Sequence, residues 1–201
     1  MSVTSYRNDR RSVARGYWLG LWTDDQFMDL MFSAIDRGLR SAWMEGAKDI
    51  GIAPDEVTPN EQVMLTSLIF REYSFVSGLA TYIFQNNQEI SKLTKQNLTV
   101  TYSRIIARVE VWVNRYKDVV NRAKVVSEKN PKLKWVLGRT KETCETCGKL
   151  AGKVRRADWW EENVMPQQPP NPALQCQGWK CGCSLEMTTD PMSRGRMPST
   201  P

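Results

Sequence analysis

The first 130 residues carry apolar side chains at alternating three- and four-residue steps, the spacing that predicts amphipathic α-helices. The clearest run covers residues 24–50, and Thr23 with Gln26 three positions later forms a capping box at its start. Gly51 supplies a stop signal at its end. The apolar stripe of this run consists of Phe27, Leu30, Met31, Ala34, Ile35, Leu39, Ala42, Trp43, Ala47 and Ile50. One long helix with a single buried face is therefore predicted.

A second helix is predicted from Thr58 onward. Thr58 is a typical N-cap residue, Pro59 suits the first helical position, and Glu61 closes a second capping box. The stripe consists of Leu65, Leu68, Ile69, Tyr73, Val76, Leu79, Ala80 and Ile83. Because the pattern weakens over residues 85–88, we expect the helix to end there.

Two further helices complete the pattern of this region. A long one is predicted from about residue 100 to residue 128, while residues 89–99 fit either an extension of it or a loop. A shorter one is predicted over residues 13–22. Since isolated short helices are marginal in water, their apolar faces should pack together. Residues 1–130 are therefore expected to form a helical bundle domain.

The helical periodicity stops after Pro131. Residues 135–137 predict a short strand, and a series of prolines then breaks the chain into an irregular segment. The predicted fold class is mainly α, with the N-terminal helical bundle followed by a small irregular or β module of residues 131–187. Residues 188–201 have the composition of a flexible tail.

All five cysteines lie in this second module. They form a Cys-x-x-Cys pair and, after 28 intervening residues, a Cys-x4-Cys-x-Cys cluster: Cys144, Cys147, Cys176, Cys181 and Cys183. Two such groups separated by a loop are typical of a zinc-binding knuckle module, in which thiolates hold a structural Zn²⁺. Four thiolates leave no open coordination position, so the predicted role of the metal is structural. Cys144 and Cys147 are the safest ligands, and the spacing does not decide which of the other three is spare.

Two other uses of the cysteines compete with zinc. A thioredoxin-type redox pair is followed by a helix, and no helical pattern follows Cys147. A disulfide framework needs an oxidising compartment, whereas residues 1–16 lack the apolar stretch of a secretory signal and an odd number of cysteines leaves one unpaired. A structural zinc would also supply folding free energy that a small apolar core cannot. Residues 131–190 are poor in aliphatic side chains, and a structural zinc contributes on the order of 10 kcal/mol in small peptides.

Composition narrows the class of function. The net charge of +6 and the pI of about 9.1 suit contact with DNA or with an acidic protein surface. The absence of histidine removes the commonest general acid and base, and neither a Gly-rich phosphate loop nor a nucleophile elbow is present. We therefore predict that the chain is not an enzyme. Glu161 and Glu162 are the one acidic pair whose presence is not explained by a position at the start of a helix. No apolar run approaches a membrane span, so no membrane partner is expected.

Two stretches of the cysteine-bearing module resemble the C-terminal region of phage head morphogenesis proteins, the minor head proteins of the phage Mu F and SPP1 type. The stretches are WVLGRTKETCETCGKLAGKV and PPNPALQCQGWKCGCSL. The family pattern is a threonine-rich lead-in, here Thr140 and Thr143, then Cys-x-x-Cys, Leu-x-Gly, prolines and a His-x-x-Cys-Arg-Cys close. This chain lacks that histidine and that arginine, and Cys176 lies near the place of the histidine, where it can replace it as a ligand.

The resemblance implies a structural role in a tailed-phage particle. Such a protein would act in capsid and portal assembly and DNA packaging, with the portal or the major capsid protein as partner and with DNA as a further contact through basic residues. It would be located in the virion, and in the host cytoplasm during assembly.

The alternative function is a nucleic-acid-binding zinc ribbon. The cysteine pattern and the pI fit that class equally, and aromatic side chains near the cysteines could stack on bases. The candidates for stacking are Trp135, Trp159, Trp160 and Trp179. Their other interpretation is that they cover a small core.

Overall fold

A computed structural model describes residues 1–87, 95–139, 142–179, 181–195 and 197–198. Its helices are α1 (Val3–Trp18), α2 (Asp24–Asp49), α3 (Pro59–Tyr73), α4 (Val76–Asn87), α5 (Lys95–Val125), α6 (Glu145–Leu150) and α7 (Ala157–Asn163), with a 3-10 turn at Pro54–Glu56. Strands β1 (Lys132–Val136), β2 (Val154–Arg156) and β3 (Ser184–Met187) form an antiparallel sheet in the order β2-β1-β3. The prediction of a mainly α fold with a small β region is confirmed.

The chain divides into two compact units. The first consists of residues 1–41 and 64–113, and the second of residues 42–63 and 114–201. The predicted domain boundaries after residues 130 and 187 stay a prediction. Of the segment left undecided between helix and loop, residues 95–99 are helical and residues 89–94 lie outside the described residues.

The N-terminal helix is longer than predicted and ends earlier. The prediction of residues 13–22 was wrong because α1 begins at Val3, where the Ser2 hydroxyl accepts the Ser5 N–H at 3.2 Å, and ends at Trp18. The side chains of Tyr6, Arg10 and Ala14 lie one above the other on its buried face. Arg10 hides this periodicity, because a sequence pattern counts arginine as an exposed residue.

Both predicted capping boxes are present. At the start of α2 the Thr23 N–H donates to Gln26 Oε1 at 3.0 Å, and the Gln26 N–H donates to Thr23 Oγ1 at 3.2 Å. At the start of α3 the Thr58 N–H donates to Glu61 Oε2 at 2.7 Å, and the Glu61 N–H donates to Thr58 Oγ1 at 3.3 Å. Of the predicted α2 stripe, Leu30 alone is exposed, at 38%.

The second predicted helix is interrupted. It was wrong to extend one helix to residue 85, because Ser74 and Phe75 form a tight turn between α3 and α4. The Ser74 N–H donates to the Phe70 carbonyl, and the Phe75 N–H donates to the Glu72 carbonyl. Tyr73 and Val76 keep a three-residue step across this break, so the apolar pattern carries no sign of it.

The second unit has its own apolar core beneath the sheet. Strand β1 begins earlier than the predicted residues 135–137 and buries Leu133 and Trp135 on one face. The Trp160 indole N–H donates to the Leu133 carbonyl at 3.0 Å, and its ring lies 5.6 Å from that of Trp135. The end of α2, the turn after it and the end of α5 add further buried side chains to the same cluster: Ala47, Ile50, Ile52 and Val125. Residues 131–190, which are poor in aliphatic side chains, therefore share this core with side chains from outside the module.

Candidate metal centre

The Cys-x-x-Cys pair opens a short helix. Cys144 is the N-cap of α6, and its Sγ accepts the Cys147 N–H at 3.4 Å. The expectation that no helix follows the pair was wrong, because a six-residue helix is too short to show a periodicity. After α6 the Gly152 N–H donates to the Trp135 carbonyl at 2.9 Å, and the Trp135 N–H donates to the Lys153 carbonyl at 2.9 Å. The pair is thus held against strand β1.

The Cys-x-Cys end of the second cluster lies against the chain that leaves β1. A Cβ built on Gly138 would meet the carbonyl group of Gly182 at 2.1 Å, so this approach requires glycine at position 138. Gly182 lies between Cys181 and Cys183 and immediately precedes β3. The register of β1 with β3 therefore places both sulfur atoms beside the end of β1.

The turn that carries Cys176 is fixed by backbone contacts. The Trp179 N–H donates to the Cys176 carbonyl at 3.0 Å, and the Gln177 N–H donates to the Leu174 carbonyl at 2.7 Å. Gly178 has a φ of +76°, and a Cβ at this position would lie 1.6 Å from the Gln167 carbonyl oxygen. Glycine is therefore required here for both its conformation and its size.

Two polar residues join the cysteine groups to each other. The Glu145 N–H donates to Gln175 Oε1 at 2.9 Å, and the Gln175 N–H donates to Thr146 Oγ1 at 3.2 Å. These bonds draw the turn of Cys176 onto the start of α6. Sequence reasoning missed Thr146 and Gln175, whose one signal is that each lies next to a cysteine.

The structure brings all five cysteines together. Their sulfur atoms form two groups of three, Cys144, Cys147 and Cys176, and Cys147, Cys181 and Cys183, and within each group the atoms lie within 4.8 Å of one another. The Cys147 and Cys181 sulfur atoms are 4.0 Å apart. Cys147 belongs to both groups. Cys147, Cys181 and Cys183 are buried, whereas Cys144 and Cys176 are half-buried.

The five side chains line one cavity of about 760 Å³. Its wall also includes Glu142, Thr143, Gln175, Trp179 and Gly182. The half-buried positions of Cys144 and Cys176 leave the centre accessible from one side.

The crowded thiols perturb one another strongly. The pKa of Cys147 is raised by hydrogen bonds with Cys181 and Cys183 and by burial. Hydrogen bonds from Cys147 and Cys181 lower the pKa of Cys183 to about 3. Burial raises the pKa of Cys176 to about 11. At Cys144 burial is outweighed by hydrogen bonds from Cys147 and Cys176, so its pKa is lowered. Hydrogen bonds between these sulfur atoms share thiol protons, so the ionisation of each thiol depends on its neighbours.

This donor set fits a thiophilic metal ion. Thiolates select soft and borderline cations over Mg²⁺ or Ca²⁺, which prefer oxygen ligands. A cation that enters the cluster takes the place of the shared protons and removes the repulsion between thiolates. The cysteine groups could hold a metal ion, and the identity of that ion stays a prediction.

The tryptophans near the centre have different environments. Trp135 and Trp160 are buried in the core, Trp159 is half-buried, and Trp179 is 46% exposed at the wall of the cavity. Base stacking is therefore open to Trp179 and closed to Trp135 and Trp160. The acidic residue Glu161 lies on α7, where it receives a hydrogen bond from Arg122 at 3.3 Å.

Comparison with family models, with curated proteins and with solved structures gave no match. The similarity to phage head morphogenesis proteins thus rests on the quoted residues. Of these, Thr140, Lys141 and Lys180 lie outside the described residues. In the described part of the chain, no helix combines the length and apolar character needed to cross a membrane.

Proposed function

We propose that this chain is a structural protein of a tailed-phage head, a minor head protein that acts in capsid and portal assembly and is not an enzyme. The observation that supports the proposal is the convergence of the family-like motifs. The Cys-x-x-Cys pair and the Cys-x-Cys close are far apart in the sequence, yet their sulfur atoms meet in one cluster. Cys176, near the place of the family's histidine, belongs to the same cluster.

The metal in this proposal is Zn²⁺ in a structural role. Zinc accepts thiolate ligands at about 2.3 Å and has no redox chemistry of its own, which suits a centre that fixes loops in place. The loops it would fix carry α6 and the approach to β3, and both lie against the core of Trp135 and Trp160. The ion would act together with this core.

The helical unit supplies a surface for a protein partner. Phe70, Phe75 and Phe84 are exposed by 64%, 51% and 50%. Exposed aromatic side chains are enriched in protein interfaces. These three residues support docking on the portal or the major capsid protein.

The basic residues give less support to a DNA contact. Arg7 and Arg11 both pair with Glu110, at 3.1 and 2.7 Å. Arg155 and Arg156 donate to backbone carbonyls, those of Ser193 and Gly195 for Arg155 and that of Asn130 for Arg156. These four arginines are therefore engaged within the chain, and we propose a protein as the principal partner.

Co-expression with the portal and major capsid proteins of the same phage tests this proposal. We expect stoichiometric co-purification that survives nuclease and high salt, because apolar contacts are not screened by ions. Phe70→Asp and Phe84→Asp should abolish it, whereas Phe70→Leu and Phe84→Leu, which keep an apolar side chain, should retain most of it. Absence of any complex, together with a genome neighbourhood that lacks capsid genes, would contradict the proposal.

The exposed Trp179 favours the alternative, a nucleic-acid-binding zinc ribbon. That function predicts that single-stranded DNA quenches tryptophan fluorescence, that added salt weakens the effect, and that Trp179→Ala removes it. Quenching in the wild type but not in Trp179→Ala would support the alternative over capsid assembly.

A further inference from the structure

Cys147 is the sulfur that the two groups of three have in common. We propose that the centre takes two thiophilic divalent cations, one held by Cys144, Cys147 and Cys176 and the other by Cys147, Cys181 and Cys183, with Cys147 bridging them. This inference rests on the proposed structural metal and specifies how many ions the centre holds.

The distances between the sulfur atoms favour two sites. In a tetrahedral site with Zn–S bonds of about 2.3 Å, all four sulfur atoms lie about 3.8 Å from one another. The structure describes all five cysteines, and among them no four sulfur atoms lie within 4.8 Å of one another. The donors are arranged as two threes that share one member.

The positions of the sulfur atoms distinguish Cys147 from the other four. Cys147 Sγ belongs to both groups of three, whereas each of the others belongs to one group. Cys147 is buried, and its sulfur atom lies 4.0 Å from that of Cys181. The arrangement therefore suits four terminal thiolates around one bridge.

The charge of the centre points the same way. Five thiolates with two divalent cations carry a net charge of minus one, whereas four thiolates with one cation carry minus two. Since Cys147, Cys181 and Cys183 are buried, the smaller net charge costs less desolvation. Each ion would have three protein thiolates and a water molecule from the cavity as its fourth ligand, so this arrangement differs from the closed four-thiolate site that the sequence predicts.

Reconstitution of the full chain with Zn²⁺ alone, under anaerobic reducing conditions, tests the inference. Elemental analysis and native mass spectrometry should find two zinc ions per chain. One ion per chain would overturn the bridged pair and leave the structural zinc of the proposed function standing. No stoichiometric zinc would overturn both.

Single substitutions then locate the two ions. Cys176→Ser and Cys183→Ser should each reduce the metal content by half, because each removes a terminal ligand of one ion. Cys147→Ser should lose both ions. If either Cys176→Ser or Cys183→Ser kept the wild-type metal content, that cysteine would be a spare residue and the two-ion arrangement would be wrong.

Cadmium NMR of the Cd²⁺-loaded wild type gives a readout that does not depend on stability. We expect two resonances of equal intensity with coupling between the two cadmium nuclei, because they share the Cys147 sulfur. A single resonance, or two without coupling, would contradict a bridging Cys147.

Discussion

In the unit of residues 1–41 and 64–113, most buried side chains come from long helix faces, such as Phe27, Met31 and Ile35 of α2. In the unit of residues 42–63 and 114–201, α2 and α5 bury Trp43, Tyr116 and Val119, and the cluster around Trp135 and Trp160 adds side chains from short strands, loops and helix ends. The sulfur centre lies in this second unit. The difference shows how short elements are stabilised without long amphipathic helices. A few large aromatic rings pack against them, and a group of thiols suited to a cation lies beside them.

Even the helical unit contains polar burial. Arg10 is 0% exposed, its guanidinium lies 4.9 Å from the Tyr6 ring and 4.6 Å from the Trp112 ring, and Nη1 donates to the Tyr6 hydroxyl. Burial lowers the pKa of Arg10, while Tyr6 and Glu72 oppose that effect. In this unit aromatic rings pack against the cationic side chain of Arg10. In the second unit the buried polar groups are thiols that suit a metal cation.

The largest effect is expected for Trp160→Ala in the second unit. Trp160 is fully buried, and truncating it leaves a cavity and leaves the Leu133 carbonyl without its donor. We expect the free energy of unfolding, measured by urea denaturation, to fall by about 3–5 kcal/mol. Hydrogen exchange would show which elements are destabilised. Trp179→Ala, at an exposed ring, serves as the control and should change it by less than about 0.5 kcal/mol. Equal losses for the two variants would contradict the placement of this core.

A smaller effect is expected in the first unit at alkaline pH. Tyr17 donates to Asp24 Oδ1 at 2.7 Å, and burial together with this carboxylate raises the pKa of Tyr17 to about 12. The unfolded chain releases the proton near its ordinary pKa of about 10, while the folded chain retains it. Stability from this group is therefore complete below about pH 10 and is lost as the pH rises toward 12.

Tyr17→Phe measures this contribution directly. Between pH 9 and pH 11.5 the free energy of unfolding of the wild type should fall by about 2 kcal/mol relative to that of Tyr17→Phe, which lacks the titrating hydroxyl. Thermal unfolding at each pH measures the difference. Parallel pH profiles for the two proteins would show that this hydroxyl is not shielded as the structure indicates.

The smallest effects are expected at the two helix caps. Thr23→Ala removes a cap in the first unit and Thr58→Ala removes one in the second, and each should cost about 1 kcal/mol. Hydrogen exchange should place each loss at the first turn of α2 or α3. Thr23→Ser and Thr58→Ser keep the hydroxyl and should restore most of the stability. A loss that serine does not restore would assign the effect to packing instead.

Sequence reasoning succeeded where the signal was local. The capping boxes of Thr23 and Thr58 involve residues three apart, and the stripe of α2 repeats over seven turns. It failed at the break after Tyr73, because the spacing to Val76 continues across the turn. It also failed at Arg10, because the pattern does not show that aromatic rings will cover a guanidinium.

The candidate site was likewise predicted only in part. The number and spacing of the cysteines predict a thiol centre, because all five lie within 40 residues. The pairing of the sulfur atoms depends on contacts between distant loops. Gln175 with Thr146 and Gly138 with Gly182 are such contacts, and no local pattern encodes them. The helix at Cys144 was not predicted because six residues are too few to show a periodicity.

The central claim is that a metal ion held by these cysteines orders the second unit. The direct test is hydrogen exchange of the full chain, purified in reducing buffer with its metal content determined, before and after a strong chelator. We expect stoichiometric metal, and on its removal faster exchange in β1, α6 and β3 with α1 and α4 unchanged. Protein without bound metal whose strands and α6 exchange equally slowly with and without the chelator would contradict it.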